Sequence, residues 1–221
     1  MKRKKFNKYN NKMNEINELT IKNNINKAKE IINKYLVPII IENGEKLEGN
    51  IFMYDNLEYT ELFINKQKNI SYVTLNKNIK NVMEIGFNSG FSALLILLSN
   101  PNIYITCYDI GEHKYTLPCY EKLKEIFKDR IKLIIGNSKN TLLLDNNKYD
   151  LIHIDGSHDT EIAESDINNA YRLSKEGTII IMDDYNYDNL HILWNKYIIK
   201  YKLKSLNSKL YDTIYHDIKY V

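Results

Sequence analysis

The sequence is poor in several residue types whose abundance defines other protein classes. Its 221 residues include 2 cysteines, 3 prolines and 8 glycines. Two cysteines are too few for a disulfide scaffold and favour a reducing, cytoplasmic compartment. The scarcity of proline and glycine excludes collagen-like and proline-rich chains. No apolar run approaches the roughly 18 residues of a membrane span, and the basic start, Met1–Lys5, leads into no apolar signal segment.

What the sequence does contain is the composition of one globular domain. Apolar residues make up 43% and charged residues 27% of the chain, near the average of folded proteins. Charge is uneven, because residues 1–35 hold ten Lys and Arg against three Glu, whereas the rest of the chain is net acidic. A basic arm of this kind can bind nucleic acid, but it is more often a solvated extension. The composition therefore leaves nucleic-acid binding and homodimer formation open.

The chain divides into three segments by pattern. Residues 1–20 form a basic, Asn- and Lys-rich tail with little periodicity, which predicts disorder or a weak helix. Residues 21–80 predict a helical N-terminal elaboration, in which apolar residues recur at helical spacing over 25–36 until Pro38 ends the pattern. Over 81–221, short β-rich runs alternate with amphipathic helices, which predicts the main domain.

Seven runs in this main domain are typical of strands. The first five lie at Val82–Ile85, Ile103–Tyr108, Ile131–Ile135, Tyr149–Ile154 and Thr178–Met182, and two closing strands lie within 203–206 and 214–221. Gly177 marks the end of the helix before the fifth strand. Repeated strand–helix units predict an α/β fold, with a Rossmann-like, doubly wound, mostly parallel seven-stranded sheet and helices on both faces. Ligands of such sheets bind beyond the carboxyl ends of the strands, so we expect the chemistry in the loops there.

The loop after the first strand combines an acidic residue with two glycines. It runs Glu84-Ile85-Gly86-Phe87-Asn88-Ser89-Gly90. Gly86 and Gly90 allow positive φ angles and a close approach of the backbone to a ligand, and the following helix offers free N–H groups. A dinucleotide fingerprint would need glycine where Asn88 stands, so a pyrophosphate-binding loop is not favoured.

This acidic residue followed by G-x-x-x-G resembles the first motif of class I methyltransferases, which bind S-adenosylmethionine. The resemblance implies that Asp109, at the end of the second strand, accepts hydrogen bonds from the ribose diol. It also implies that Asn137 and Ser138, after the third strand, lie at the adenine. The full set of cofactor residues that it implies is Glu84, Gly86, Phe87, Asn88, Ser89, Gly90, Asp109, Ile110, Asn137, Ser138 and Asp155.

The loops after the fourth and fifth strands carry three carboxylates. Asp155 follows the fourth strand, and Asp183 and Asp184 follow the fifth. Carboxylates at close range repel unless they are protonated, separated or bridged by a cation, and hard oxygen ligands suit Mg²⁺, Mn²⁺ or Ca²⁺. The arrangement resembles metal-dependent O-methyltransferases, such as the catechol and macrolide-sugar O-methyltransferases. The resemblance implies a divalent cation such as Mg²⁺ at Asp155, Asp183 and Asp184, with His158 as the base.

The activity implied by this resemblance is methyl transfer from S-adenosylmethionine to a hydroxyl of a small-molecule acceptor, a sugar or a catechol-like diol. His158 and Asp155 are then the catalytic residues. Two alternatives stay open. An RNA ribose methyltransferase would need paired lysines, but Lys175 lies on the wrong element. A non-catalytic, methyltransferase-like binding module would have no reason to keep the acids and His158 together.

The other histidines have no predicted role in this site. His153 falls within an apolar strand, which is typical of a hydrogen-bonded core histidine. His113, His191 and His216 show no pattern of partners along the chain.

Overall fold

The protein is a seven-stranded sheet covered by helices. The computed structural model describes residues 2–206 and 210–221, with side chains from residue 17 onward. The strands are β1 (Asn81–Ile85), β2 (Tyr104–Asp109), β3 (Ile131–Ile135), β4 (Tyr149–Ile154), β5 (Ser174–Met182), β6 (Lys204–Ser205) and β7 (Asp217–Tyr220). The helices are α1 (Lys2–Ile31), α2 (Val37–Asn43), α3 (Ile64–Thr74), α4 (Phe91–Ser99), α5 (Thr116–Phe127), α6 (Ser138–Thr141), α7 (Thr160–Leu173) and α8 (Asp188–Tyr201). Among these described helices, none has both the length and the apolar character that crossing a membrane requires.

The strand order β3-β2-β1-β4-β5-β7-β6 places the first strand of the chain near the centre of the sheet. Strands β1 to β5 run parallel, and β7 is antiparallel to both β5 and β6. The order reverses between β1 and β4, which is the point where open α/β sheets bind their ligands. This topology confirms the predicted Rossmann-like, mostly parallel, seven-stranded sheet.

Hydrophobic side chains fill both faces of the sheet, because its central strands are buried on both sides. One cluster joins the sheet to α4, α5 and the N-terminal helices, and it includes Leu95 and Leu151. The other cluster lies under α7 and α8 and includes Ile152 and the fully buried Trp194. The Trp194 indole also donates to Asp217 Oδ2 at 2.7 Å, which ties α8 to β7. Helices therefore cover both faces, as predicted.

The N-terminal helices α1 and α3 pack on α4. Ile21, Ile25, Ala28 and Ile32 form the buried stripe that begins on α1. Helix α1 crosses the predicted segment boundary at residue 20 without a break. The division of the chain into three segments stays a prediction, and the basic side chains before residue 17 lie outside the described residues.

Pro38 does not end the helical segment, contrary to the prediction from sequence. A π-helical turn, Ile32–Leu36, connects α1 directly to α2, and Pro38 lies in the first turn of α2. Proline lacks an N–H, and the first turn of a helix has N–H groups that need no partner inside the helix. The π turn interrupts the α-helical hydrogen-bond pattern just where proline cannot continue it. The segment ends instead at Gly44, whose φ of +68° closes α2.

Gly177 lies inside a strand, whereas the prediction placed it at the end of a helix. Helix α7 already ends at Leu173, and β5 begins at the next residue. The pairing of β4 with β5 is irregular between Tyr149 and Leu151. Gly177 has a φ of +83°, a conformation that lets the start of β5 bulge and that favours glycine.

Candidate active site

A cavity of about 610 Å³ opens at the carboxyl ends of β1 to β4. Eight of the predicted site residues line it, and these are Gly86, Asn88, Asp109, Ile110, Asn137, Ser138, Asp155 and His158. They come from four separate loops, which the parallel sheet brings to one edge. We refer to this space as the first cavity.

A second cavity of about 480 Å³ adjoins the first. Gly86, Asn88, Asp155 and His158 line both spaces. The remaining walls come from the N-terminal segment and from the loops after β5 and before β7, through Met53, Tyr54, Phe63, Lys66, Asp184, Tyr187 and Tyr215. Asp155 and His158 therefore stand where two ligand-sized spaces meet.

Gly86 is required by the crossing of two backbones at the bottom of the site. Its φ is +92°, and a Cβ at this position would lie 1.8 Å from the carbonyl oxygen of Asp155. The Gly86 N–H donates to Tyr108 O at 2.8 Å, and the Asp155 N–H donates to Ile85 O at 2.8 Å. Only glycine lets the loops after β1 and β4 approach this closely.

Four predicted cofactor residues, Glu84, Phe87, Ser89 and Gly90, do not line the first cavity. Glu84 is fully buried in the sheet, where its carboxylate accepts from His153 Nδ1 at 3.1 Å. A Cβ at Gly90 would lie 2.5 Å from the Phe87 ring, so Gly90 allows tight packing inside the loop. The parts of these four residues in cofactor binding stay predictions.

Two of the polar residues in the first cavity also organise the loops around it. Asp109 accepts from the backbone N–H of Asn88 and of Gly111, each at 2.7 Å, and so joins the loops after β1 and β2. Asn137 caps α6, because its side-chain oxygen accepts from the Lys139 N–H at 2.9 Å. A carboxylate retains further acceptor positions after two hydrogen bonds, so Asp109 can still accept from a ligand.

Asp166 in the wall of the first cavity was not predicted from sequence. Asp166 is 1% exposed, and the Ser138 side chain is the hydrogen-bonding group beside its carboxylate. Burial raises the pKa of Asp166 to about 6. A signal was present, since Asp166 lies on the apolar face of α7 between Ala163 and Ala170. A lone carboxylate on a buried helix face is a candidate ligand contact.

Asp183 stands at the centre of a buried cluster of charges. Its Oδ1 lies 2.5 Å from Lys66 Nζ on α3. Its Oδ2 lies 3.5 Å from His153 Nε2 and 3.5 Å from His216 Nε2. Lys66 and His216 were not predicted, because they come from distant parts of the chain that carry no local motif.

Asp184 connects this cluster to His158. Its Oδ2 lies 2.7 Å from His158 Nε2, and its Oδ1 lies 3.9 Å from Lys66 Nζ. The His158 ring is half-exposed and stands 4.3 Å from the Tyr187 ring, centroid to centroid. The hydrogen bond to Asp184 raises the pKa of His158 above its ordinary value. With Nε2 donating to Asp184, the other ring nitrogen, Nδ1, is left to accept a proton.

The buried groups around Asp183 set one another's protonation states. Burial alone would lower the pKa of Lys66, but Asp183 and Asp155 raise it. Burial alone would raise the pKa of Asp183, but the Lys66 ammonium holds it well below its usual range. Burial and the negative charge of Asp183 raise the pKa of Asp155. Against the effect of burial, the neighbouring carboxylates of Asp183 and Glu84 raise the pKa of His153 to about 10.

The three carboxylates of the predicted magnesium site do approach one another, because β4 and β5 are neighbours and the Asp183 N–H donates to Ile154 O at 2.9 Å. However, Lys66 already lies against Asp183, and His158 against Asp184. Magnesium needs free oxygen ligands at about 2.0–2.1 Å. As arranged here, the donor set does not fit that ion, and the divalent cation stays a prediction.

A second set of potential metal ligands lies in the buried cluster around Asp183. His153, Asp183 and His216 offer three buried ligand atoms within 4.8 Å of one another. Such nitrogen and oxygen donors suit a transition metal better than magnesium. Metal binding requires a neutral imidazole, and without an ion the carboxylates of Asp183 and Glu84 favour the protonated form of His153 by raising its pKa.

The region that carries this site is similar to a known protein family. Residues 83–185, just under half of the chain, match a family model described as a methyltransferase domain. The match supports a class I methyltransferase. The matched segment runs from β1 to the loop after β5 and so includes nearly all of the first cavity. No curated protein sequence matches the chain significantly.

Solved structures share the fold of this protein. PaMTH1, an SAH-bound methyltransferase from Podospora anserina, is 16% identical, with a TM-score of 0.58 over 83% of this chain and 85% of that one. An O-methyltransferase from Bacillus cereus in complex with SAH is 14% identical, with a TM-score of 0.59 over 91% and 100%. CalS11, a TDP-rhamnose 3'-O-methyltransferase of calicheamicin biosynthesis, is 14% identical, with a TM-score of 0.55 over 73% and 80%. At such identities the likeness shows the fold alone.

Proposed function

We propose that this protein is an S-adenosylmethionine-dependent O-methyltransferase that acts on a hydroxyl group of a small molecule. The observation that carries the proposal is the meeting of two cavities at Asp155 and His158. One cavity is built from the loops after β1 to β4 and suits a nucleoside-containing ligand. The other is closed by the N-terminal segment and suits an acceptor of modest size. A reaction between two bound molecules requires such a shared edge.

The residues of the first cavity fit the cofactor. Asp109 would hold the ribose diol, Ser138 and the buried Asp166 would face the adenine, and Gly86 would let the ligand approach the backbone. When bound, S-adenosylmethionine supplies an electrophilic methyl group on a sulfonium. The family match and the SAH-bound relatives from Podospora anserina and Bacillus cereus support this choice of cofactor.

His158 is the proposed general base. Its Nε2 is held by Asp184 at 2.7 Å, so Nδ1 can take the proton of an acceptor hydroxyl. The Asp184 carboxylate would then stabilise the imidazolium that forms, in the way that a third group orients and stabilises the base in other catalytic sites. His158 lines both cavities, where a base for this reaction has to lie.

The second cavity supports a polar, ring-shaped acceptor. Aromatic side chains of Tyr54, Phe63, Tyr187 and Tyr215 share its wall with charged groups. Aromatic faces with a few polar groups are typical of sites for sugars and phenols. CalS11, one of the structural relatives, acts on a TDP-sugar, which agrees with such an acceptor.

The RNA ribose alternative has less support. Lys175 lies at the amino end of β5, the opposite edge of the sheet from the two cavities, and it pairs with Asp150 at 2.5 Å. It is therefore far from the proposed reacting groups.

Cofactor binding is tested by calorimetry. We expect S-adenosylmethionine to bind with micromolar affinity, about −8 kcal/mol, and NAD not to bind. Asp109→Ala should weaken S-adenosylmethionine by about 10–100-fold, because a hydrogen bond to a charged group contributes about 1.5–3 kcal/mol. Asp129→Ala, on an exposed turn, is the control and should bind like the wild type. Binding of NAD in place of S-adenosylmethionine would contradict the proposed cofactor.

The pH dependence of turnover tests the pairing of His158 with Asp184. The base must be neutral, and Asp184 raises its pKa, so turnover should rise with pH through a pKa above 6.5. Asp184→Asn should move this limb to lower pH; asparagine tolerates the φ of +54° at this position. The same pair stabilises the fold below pH 6.5, and this stabilisation is lost as pH rises through the raised pKa.

The matched control for this measurement is Asp188→Asn, because Asp188 is an exposed acid in the first turn of α8. This substitution should not change the pH at which turnover rises. An unchanged limb in Asp184→Asn as well would mean that another group controls turnover.

A further inference from the structure

Lys66 occupies the position that the sequence assigned to a metal. Its side chain is 5% exposed, although lysine is almost never buried unless it is paired. Its Nζ lies 2.5 Å from Asp183 Oδ1 and 3.9 Å from Asp184 Oδ1. The Phe63 and Tyr215 rings flank the ammonium, with centroids at 5.3 and 5.9 Å. The Lys66 ammonium is therefore held at the wall of the second cavity by two carboxylates and two aromatic rings.

Protein groups already lie against the carboxylates where a metal ion would bind. Three carboxylates that meet in a partly buried site require a counter-charge. Lys66 lies on one side of Asp183, and His153 lies on the other side at 3.5 Å. His158 faces the outer oxygen of Asp184. A divalent cation at this place would have to displace the Lys66 ammonium from Asp183.

We propose that Lys66 takes the place of a divalent cation in this site, and that its ammonium binds the acceptor hydroxyl so that the enzyme transfers methyl groups without metal. The proposal rests on the proposed function and names how that site receives its acceptor. An ammonium has three N–H donors, and Asp183 takes one of them. The others can donate to an acceptor oxygen in the second cavity, which Lys66 lines.

The chemistry balances with the groups named. The acceptor oxygen forms its bond to the methyl carbon as the bond from sulfur to that carbon breaks, and the sulfur keeps the electron pair. The hydroxyl proton passes to His158 Nδ1. The Lys66 ammonium keeps its protons and stabilises the negative charge that develops on the oxygen, as a fixed donor does in an oxyanion hole.

The first test uses the wild-type protein and two independent readouts. Methyl transfer to a panel of sugars and catechols is measured before and after treatment with EDTA, and Mn²⁺ binding is measured by electron paramagnetic resonance. We expect the full rate after EDTA and no bound Mn²⁺. Loss of activity in EDTA that Mg²⁺ restores would overturn the proposal, and so would Mn²⁺ binding that disappears in Asp183→Asn.

The second test uses variants of Lys66. Lys66→Ala should gain Mn²⁺ binding, because it frees the carboxylates and leaves room for an ion. Lys66→Met, which keeps the length of the stem, should bind S-adenosylmethionine normally but lose about 10²–10³-fold in turnover, the range for one missing oxyanion donor. Lys68→Met, on the same helix and outside both cavities, is the control and should change neither readout.

Normal turnover in Lys66→Met, or a folded Lys66→Ala that binds no Mn²⁺, would overturn the proposal. If Lys66→Ala does not fold, the wild-type measurements still decide it. Failure of the proposed function would give a different result from failure of the Lys66 proposal. The wild type would then methylate no hydroxyl compound, whereas the Mn²⁺ titrations would still show whether Lys66 excludes a metal ion.

Discussion

His158→Ala is expected to reduce turnover by about 10²–10⁴-fold, the range for loss of a general base, with little change in the affinity for S-adenosylmethionine. The reason is the geometry of the site, in which Asp184 holds His158 Nε2 and leaves Nδ1 to accept the proton of the acceptor hydroxyl. Turnover is measured at saturating cofactor and acceptor, and affinity is measured by calorimetry.

His158→Gln separates basicity from hydrogen bonding. Its amide can still donate to Asp184 but cannot take a proton at neutral pH, so it should lose nearly as much turnover as His158→Ala. His191→Ala is the matched control, because His191 is exposed on α8 and stacks only on Tyr185. Full activity in both His158 variants would discard this base and leave the cofactor assignment intact.

Gly86→Ala is expected to damage both stability and cofactor binding. A Cβ there would lie 1.8 Å from Asp155 O, so the loops after β1 and β4 must separate. The positive φ adds a cost of about 1–2 kcal/mol for an L-residue, and overpacking adds about 1–3 kcal/mol. We therefore expect the free energy of unfolding to fall by about 2–5 kcal/mol, from denaturant melts. Affinity for S-adenosylmethionine should fall too, because the wall of the first cavity shifts.

Gly177→Ala is the control that isolates the backbone term. Gly177 has a similar φ of +83°, but a Cβ there would meet nothing within 4 Å, and the residue lies away from both cavities. It should lower the free energy of unfolding by only about 1–2 kcal/mol and leave cofactor affinity unchanged. Equal effects of the two substitutions would mean that the approach of Gly86 to Asp155 is not tight.

The strands and the loops of the first cavity could be predicted because their signals are local. Four of the five main strands were predicted to within one residue of their observed ends, since buried β runs stand out between amphipathic helices. Parallel pairing then brings the ends of these strands to one edge without further information. Asp109, Asp155 and His158 could therefore be expected at one edge of the sheet from their positions after strands, and the resemblance to class I methyltransferases implied their roles.

The predictions that were wrong concern Pro38 and Gly177, and both depend on how the backbone around these residues is hydrogen-bonded. Pro38 is tolerated because a π turn precedes it, and Gly177 sits in a bulge where two strands pair irregularly. Neither feature follows from a propensity, because each depends on hydrogen bonding beyond the residue itself.

Helix α3 is the clearest case of a feature that the local sequence does not reveal. Its polar residues are typical of a solvated helix, yet Lys66, Gln67 and Asn69 are buried. Each has a partner elsewhere in the chain: Asn69 donates to Tyr211 O, Gln67 donates to Ile51 O, and Lys66 faces Asp183. Buried polar groups are tolerated only when such partners exist, and no local pattern reveals them.

The amino-acid sequence by itself determined the strands, their mostly parallel pairing and the loops that carry the carboxylates, since periodicity and strand-end position are properties of short segments. Only the tertiary structure decided what faces those carboxylates. Carboxylates alone are compatible with a metal, a proton or a protein cation. The choice depends on the packing of α3 against the carboxyl ends of β4 and β5, which brings the Lys66 ammonium within 2.5 Å of Asp183.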